Sequence, residues 1–249
     1  MKVLVIGETC YDTFIYGKCD RICPEAPVPV FLPQYEKTTK GMAANVYRNL
    51  EALELIYKNN ISFDLWTNDS YNEKIRYVDE QSNQMILRVD KEGSYHLNKE
   101  LRNAKIEQYD AVIVSDYNKG LLTESDLKNI AKKAKMSFID TKRKYDYNWA
   151  KYFNFIKINN IEAKENGFFE IEEIFNKIII TAASDGCYFK GKHFPIQNKS
   201  EVRDVCGAGD TFLAAFSYSM ITSNNEKKAI KFAQDSCQYV ISKKGVTTL

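Results

Sequence analysis

Short apolar runs alternate along this chain with longer stretches whose apolar residues recur at helical spacing. The runs are Val3–Ile6, Ala111–Val114, Ser137–Ile139, Phe153–Ile158 and Lys177–Ala182. Runs this short, bounded by polar residues, predict buried strands. Ala43–Tyr57 places Val46, Leu50, Leu53 and Ile56 or Tyr57 on one stripe, which predicts a helix. Glu124–Lys135, with Thr123 or Ser125 near its start, and Glu226–Lys243 read as further helices. Strand–helix alternation predicts a mostly parallel sheet with helices on both faces. Ligands of such sheets lie beyond the carboxyl ends of the strands. Asp116, Asp140, Asn159 and Ser184 fall there.

Two regions break the alternation. Ile22–Pro33 holds Pro24, Pro27, Pro29 and Pro33, with Val28 and Val30 between them. Prolines bar this run from a central strand but allow an edge strand. Lys74–Val89 alternates weakly. The two runs are expected to pair as a small sheet outside the core. A third stretch, Gly186–Lys192, fits half of a phosphate-binding loop, but His193 stands where Ser or Thr is needed for magnesium. Such a loop must also open a helix, whereas Cys187–Phe189 reads as a strand and Lys190-Gly191-Lys192 as a hairpin turn.

Length and charge narrow the classes. The 249 residues suit one domain, 1–249, with a sizeable core. A net charge of +2 gives no reason to expect nucleic acid or an acidic membrane as partner. No run approaches membrane-spanning length, and Met1–Gly7 reads as a strand rather than a signal peptide. The six cysteines are scattered, with no Cys-x-x-Cys pair and no histidine near Cys19 and Cys23. They read as reduced thiols of a cytoplasmic protein.

The chemistry concentrates in Asp204-Val205-Cys206-Gly207-Ala208-Gly209-Asp210-Thr211-Phe212. Three small residues precede a carboxylate, and a helical apolar pattern follows through Leu213, Ala215, Phe216 and Met220. A tight turn thus delivers the chain into a helix whose first amides lack internal partners. They form an anion site that the helix dipole reinforces. Asp210, in the first turn, stands beside it as a proton acceptor. An anion cradle next to a base is what phosphoryl transfer to a hydroxyl requires. Read alone, the stretch is also compatible with a glycine-rich turn in which Asp210 only caps the helix.

Gly207-Ala208-Gly209-Asp210 resembles the signature of the ribokinase-like, or PfkB, family of sugar kinases. Further segments in family order extend the resemblance over nearly the whole chain. Gly41-Met42-Ala43-Ala44-Asn45 resembles a Gly-Gly-Ala-Ala-Asn segment, and Asn159-Asn160-Ile161-Glu162 an Asn-x-x-Glu motif. Tyr16-Gly17, Arg21–Val30, Asn83–Asp90 and Ser115–Gly120 resemble the heptose-7-phosphate kinase branch.

The resemblance implies an α/β fold: a three-layer α/β/α sandwich with a small β-lid, its segments at about 13–39 and 74–97. It implies an ATP-dependent kinase acting on a hydroxyl of a sugar or sugar phosphate, first the anomeric hydroxyl of a heptose 7-phosphate, with Mg2+ and a monovalent cation such as K+. A small lid sheet would have exposed edges and leave Val28, Val30 and Phe31 poorly covered, which predicts a homodimer clasped through the lid; the alternative is a monomer whose lid packs only on its own core. Asp210 is then the base, and the Gly207, Ala208 and Gly209 amides form the anion hole. Asp12, Gly41 and Asn45 meet the sugar, with Arg88, Asp116 and Lys119 as candidates beside them. Read alone, Asp12 is a loop carboxylate, Asn45 part of a helix start, and Asp116 and Lys119 a solvated loop. Arg21, Arg88, Lys119 and Lys142 are candidate partners for a substrate phosphate. Lys142, Asn159, Thr181, Ser184, Gly186 and Gly245 fall where the family binds nucleotide, and Phe232–Thr247 where it flanks adenine. Glu162 corresponds to a magnesium ligand acting through water, and Asp204 to a monovalent-cation site. Glu162 alone reads equally as a helix-start carboxylate.

The chain departs from the pattern at Met42, Cys206, Ala183 and Gln234, and it is shortened between Asn45 and Arg88, where a strand–helix unit is trimmed. A binding protein without turnover, or a kinase for another sugar or a nucleoside, are the alternatives that these departures motivate.

Overall fold

The computed structural model describes residues 1–69, 72–93, 105–166, 172–197, 200–243, 245 and 247–249. Residues 94–97 of the second expected lid segment, and Lys244 and Val246, lie outside them.

β1 (Lys2–Gly7) alternates Val3 and Val5 on one face with Leu4 and Ile6 on the other, and all four are buried. A strand apolar on both faces belongs in a sheet covered on both sides. On one side of β1 lies β4 (Ser62–Trp66). On the other follow β7 (Ala111–Asp116), β8 (Ser137–Thr141), β9 (Phe155–Asn159), β10 (Ile178–Thr181), β11 (Cys187–Phe189) and β12 (Lys192–Phe194). Pairing is parallel from β4 to β10 and antiparallel from β10 to β12. Val3, Val5 and Ile113 pack against α1 (Ala43–Tyr57) and the helices Ala208–Ser223 and Glu226–Ile241. Leu4, Ile6 and Val114 pack on the opposite side with Leu127 and Ile130 of the Glu124–Lys133 helix. These are the three layers expected of the fold.

Local chemistry explains the boundaries. Thr123 caps its helix in a reciprocal box with Asp126. The helix stops at Lys133 because Ala134 turns extended, at φ −71° and ψ 137°. At the false phosphate loop, Lys190 and Gly191 both take positive φ, 51° and 71°, and join β11 to β12 as a hairpin.

The second sheet has the order β3-β2-β5-β6. β2 (Thr9–Ile22) leaves β1 with only Glu8 between them, and β3 (Pro29–Met42) runs directly into α1. β5 (Glu73–Asp79) and β6 (Met85–Lys91) complete it. Both junctions with the core lie at the carboxyl end of β1, so the sheet stands beside that end. β3 is an edge strand, as its prolines require, and Pro24 and Pro27 lie in the turn before it. The two runs expected to pair with each other do not: β2 lies between them, antiparallel to β3 and parallel to β5. Asp12, Lys18, Asp20 and Arg21 broke the apolar alternation that would have announced β2. Between Tyr57 and Glu73 the described chain forms only β4, on the open edge of the large sheet.

Candidate active site

The Ala208–Ser223 helix begins at Gly207, whose φ of 81° and ψ of −3° are left-handed and favour glycine. Asp204 fixes the approach. Its two carboxylate oxygens accept from the amides of Cys206 (2.8 Å) and Gly245 (3.1 Å). The Ala208 amide donates to the Val205 carbonyl at 3.2 Å, so it closes the turn. The Gly209 and Asp210 amides, first in the helix, remain for an anion. Of the three amides expected to form an anion hole, that of Ala208 is thus engaged in the turn.

Asp210 is 6% exposed. Tyr117 Oη donates to its Oδ1 at 2.8 Å, and Asn45 Nδ2 donates to its Oδ2 at 3.2 Å. Burial pushes its pKa up to about 6, against the two hydrogen bonds, which favour the ion; Asp140 raises it further and Lys157 lowers it. Asp210 opens onto a cavity of about 100 Å³. Gly207 and Cys206 line one side, Tyr117 and Met42 another, and Asp12, Lys74 and Arg76 of the small sheet the rest. Register explains the last three: Asp12 pairs with Lys74 and Phe14 with Arg76, so alternate residues of β2 and β5 share the cavity face.

The wall formed by the small sheet is a charged cluster. Arg76 Nη1 lies 2.5 Å from Asp12 Oδ1, with side chains 11% and 8% exposed, and its guanidinium sits over the Phe14 ring. Lys74 Nζ sits 5.2 Å from the Tyr117 ring centre and has no ion-pair partner among the described residues. A Cβ on Gly41 would stand 1.8 Å from Asp12 Oδ2, so the bare glycine makes room for that carboxylate. Met42 adopts φ 61° and ψ −132°, a backbone region that L side chains rarely enter, and is 3% exposed. Burial pushes the Cys206 thiol up to about 11.

Other expected residues lie elsewhere. Asn45 is fully buried; it donates to Asp210 and is itself held by Asn49 Nδ2, 3.3 Å from its Oδ1. Asp116 does not line the cavity. It is held inside by Thr141 Oγ1 at 2.5 Å and Arg143 Nε at 2.6 Å. Arg88 pairs with Asp90 on the outer strand β6, and Lys119 with Glu92. Asn159 and Glu162 form a reciprocal cap at the start of the Asn160–Asn166 helix, and Glu162 also meets Lys142. Thr181 Oγ1 donates to the Ile158 carbonyl at 3.1 Å. Ser184 is exposed in the turn after β10, and Gly186 at φ 96° packs on the Phe194 carbonyl.

Residues 56–249 match the profile of the pfkB family carbohydrate kinases. The chain belongs to the pfkB family. It is 31% identical, over 294 aligned positions, to the bifunctional protein HldE of Helicobacter acinonychis (strain Sheeba), a match that covers 98% of this chain and 63% of that protein. The chain therefore spans less than two thirds of the length of the curated relatives first matched. The aligned stretch is longer than the chain itself, 294 positions against 249 residues, so this family member lacks segments its relatives carry. Phosphofructokinase-2 from Escherichia coli in complex with potassium shares the fold at a TM-score of 0.70 and 10% identity, over 98% of this chain and 94% of that one. Arabidopsis thaliana ribokinase complexed with ribose and ATP does so at 0.65 and 13%, over 98% and 93%.

Sequence reasoning did not single out Lys74, Arg76, Tyr117 or Lys157, which the structure places around Asp210 and its cavity. Lys74 and Arg76 alternate at strand period, a signal that was open to reading; register sets them opposite Asp12 and Phe14. Lys157 left no such trace: it is buried in β9 with Nζ 2.5 Å from Asp140 Oδ2. Burial opposes its charge most strongly, but Asp140, with Glu162 and Asp210 adding to it, leaves its pKa raised.

Proposed function

We propose that this chain transfers the γ-phosphoryl group of ATP to a sugar hydroxyl, namely the anomeric hydroxyl of a heptose 7-phosphate. One observation carries the reading: a buried carboxylate, at a helix N-terminus with open amides, faces a cavity lined by cations on the other side. Ionised Asp210 takes the hydroxyl proton. The hydroxyl oxygen bonds to the γ-phosphorus as the bond to the bridging oxygen breaks, and ADP leaves with that electron pair. The Gly209 and Asp210 amides meet the charge on the moving group. Lys74, beside the cavity and without an ion-pair partner among the described residues, is the cation best placed for a phosphate on the acceptor. It is favoured here over Arg21, Arg88, Lys119 and Lys142.

Three supports concern cofactors. The chain shares its fold with a kinase captured with ribose and ATP. No group of three or more metal-ligating side chains exists among the described residues. That fits Mg2+ held by nucleotide phosphates and water, with one carboxylate nearby; when bound, the ion neutralises phosphate charge. Glu162, tied to Lys142 and the Asn159 amide, suits contact through water. Glu162→Gln is expected to raise the magnesium concentration needed for half-maximal rate, and a titration that overlays the wild type would remove Glu162 from the metal site. Asp204 supports a K+ site by fixing two loops rather than by offering a free carboxylate.

The acceptor class is tested by a coupled ADP-release screen across free and phosphorylated sugars. Release with heptose 7-phosphate above all others is expected. Release with no sugar, alongside measurable ATP binding, would favour a binding protein instead.

The working unit is a homodimer clasped through the small sheet. Its edges β3 and β6 are open, and Ile22, Val28, Leu32, Met85 and Leu87 are exposed on it. Val30→Glu is expected to yield monomers in sedimentation and to raise KM for sugar more than for ATP. A wild-type chain that is monomeric at micromolar concentration and fully active contradicts the clasp. The setting is the cytoplasm, without nucleic-acid or membrane partners. No described helix is long and apolar enough to cross a membrane, the cysteines are free, and the net charge is +2.

A further inference from the structure

We infer that Tyr117 is the positioning residue of the base, and that Glu8 sets Tyr117. The inference rests on the proposed role of Asp210. Glu8 is the single residue between the two sheets, fully buried, and no part of the reaction uses it. Its Oε2 accepts from the Tyr117 amide at 2.8 Å, and its Oε1 from the amides of Lys119 at 2.9 Å and Leu121 at 3.4 Å. A buried carboxylate that gathers three alternate loop amides is a mould for that loop. Burial raises the pKa of Glu8, with Asp116 adding to it, and the loop amides oppose this by favouring the charged form. The Glu8 backbone carbonyl accepts from the Ala43 amide, so the same residue also anchors the start of α1, which carries Asn45.

The moulded loop delivers Tyr117 Oη to Asp210 Oδ1 at 2.8 Å. Asn45 takes Oδ2 from the opposite side. Two donors from two elements fix the plane of the carboxylate. Each oxygen can accept twice, so capacity remains for an acceptor hydroxyl. Tyr117 keeps its own proton, because burial holds its pKa well above the ordinary value, and Asp210 and Asp140 reinforce this. It therefore orients the base and stabilises the ionised form without competing for the proton. Lys74 lies over the Tyr117 ring, and Cys10 is the other titratable neighbour. Asp140 and Lys157 are the charged groups that act most on Asp210, and Asp12, Lys74 and Arg76 face it across the cavity; the substitution below leaves all five in place.

The test removes one oxygen. In Tyr117→Phe, a hydrogen bond to the ionised base is lost, so the acid limb of the kcat/KM profile should move up by about one pH unit or more. kcat should fall about tenfold, while KM for ATP stays unchanged. Glu8→Gln keeps an acceptor oxygen for the loop and should move the same limb by a smaller amount. The carboxyl carbon of Asp210, labelled and assigned by its loss in Asp210→Asn, gives the same titration by NMR without turnover. An Asp210 midpoint that is the same in Tyr117→Phe and wild type would overturn the inference. A midpoint that moves in a protein with no activity on any sugar would leave the Tyr117–Asp210 coupling standing and defeat the kinase reading instead.

Discussion

Asp210→Asn is expected to lower turnover by roughly 10²–10⁴-fold, the usual loss when a general base is removed, with ATP affinity nearly unchanged. The amides at the helix start are backbone and survive the substitution. What disappears is the acceptor for the hydroxyl proton. The wild-type rate should also fall as pH drops through about 6, because burial places the Asp210 pKa there and the protonated form cannot act as a base. Stability follows the opposite sign. The folded carboxyl binds its proton more tightly than the unfolded one, at about 6 against 3.8. Its contribution to the fold is therefore full below the unfolded pKa and is lost as pH rises through about 6. Activity and this part of stability thus change in opposite directions over the same pH window. A pH–rate profile flat between pH 5 and 7 would remove Asp210 from the rate-limiting proton transfer. Near-wild-type turnover in Asp210→Asn would remove it from the mechanism.

Arg76→Met is expected to lower Tm by roughly 6–20 °C. Removing one member of a buried pair leaves the other charge uncompensated, at about 3–5 kcal/mol, and each kcal/mol is worth about 2–4 °C in a chain of this size. Asp12 is the charge left behind, 8% exposed and pressed against the Gly41 backbone. The double variant Asp12→Asn with Arg76→Met should recover part of the loss, because the stranded charge is gone. Thermal unfolding of the wild type, both single variants and the double variant measures this coupling. A double variant that falls by the sum of the two single losses would show that the pair is not coupled. In all three variants KM for the acceptor should rise, since both residues line its cavity.

The sequence carried the large sheet well because its strands are apolar on both faces and therefore stand out as unbroken runs. Val3–Ile6 and Ala111–Val114 are such strands, and α1 was legible to its last residue because its stripe is periodic. β2 was not legible. Its cavity face holds Asp12 beside Phe14 and Tyr16, so function had replaced the apolar alternation that marks a strand. The same cause hid Lys74 and Arg76, which read as ordinary surface residues until register places them opposite Asp12 and Phe14. The signature around Asp210 was readable because a left-handed Gly207 and a helix start leave a local pattern. Asn45 and Asp116 are different. Their residue types fit sugar ligands, but only the packing shows that one donates to Asp210 and the other is enclosed by Arg143 and Thr141. Met42 is one of several non-glycine residues at positive φ, and its ψ of −132° lies outside the left-handed helical region as well. A conformation at φ 61° in a non-glycine residue costs about 1–3 kcal/mol, and it occurs where the small sheet joins α1 at the wall of the cavity.

The most direct measurement is phosphorus NMR of the wild-type chain incubated with ATP, Mg2+ and heptose 7-phosphate. The account predicts loss of the ATP γ signal in step with the growth of a second sugar-phosphate signal, coupled to the anomeric proton, and no such signal with Asp210→Asn. ATP that persists unchanged beside bound sugar, or a γ-phosphate released as inorganic phosphate with no new sugar phosphate, would contradict it.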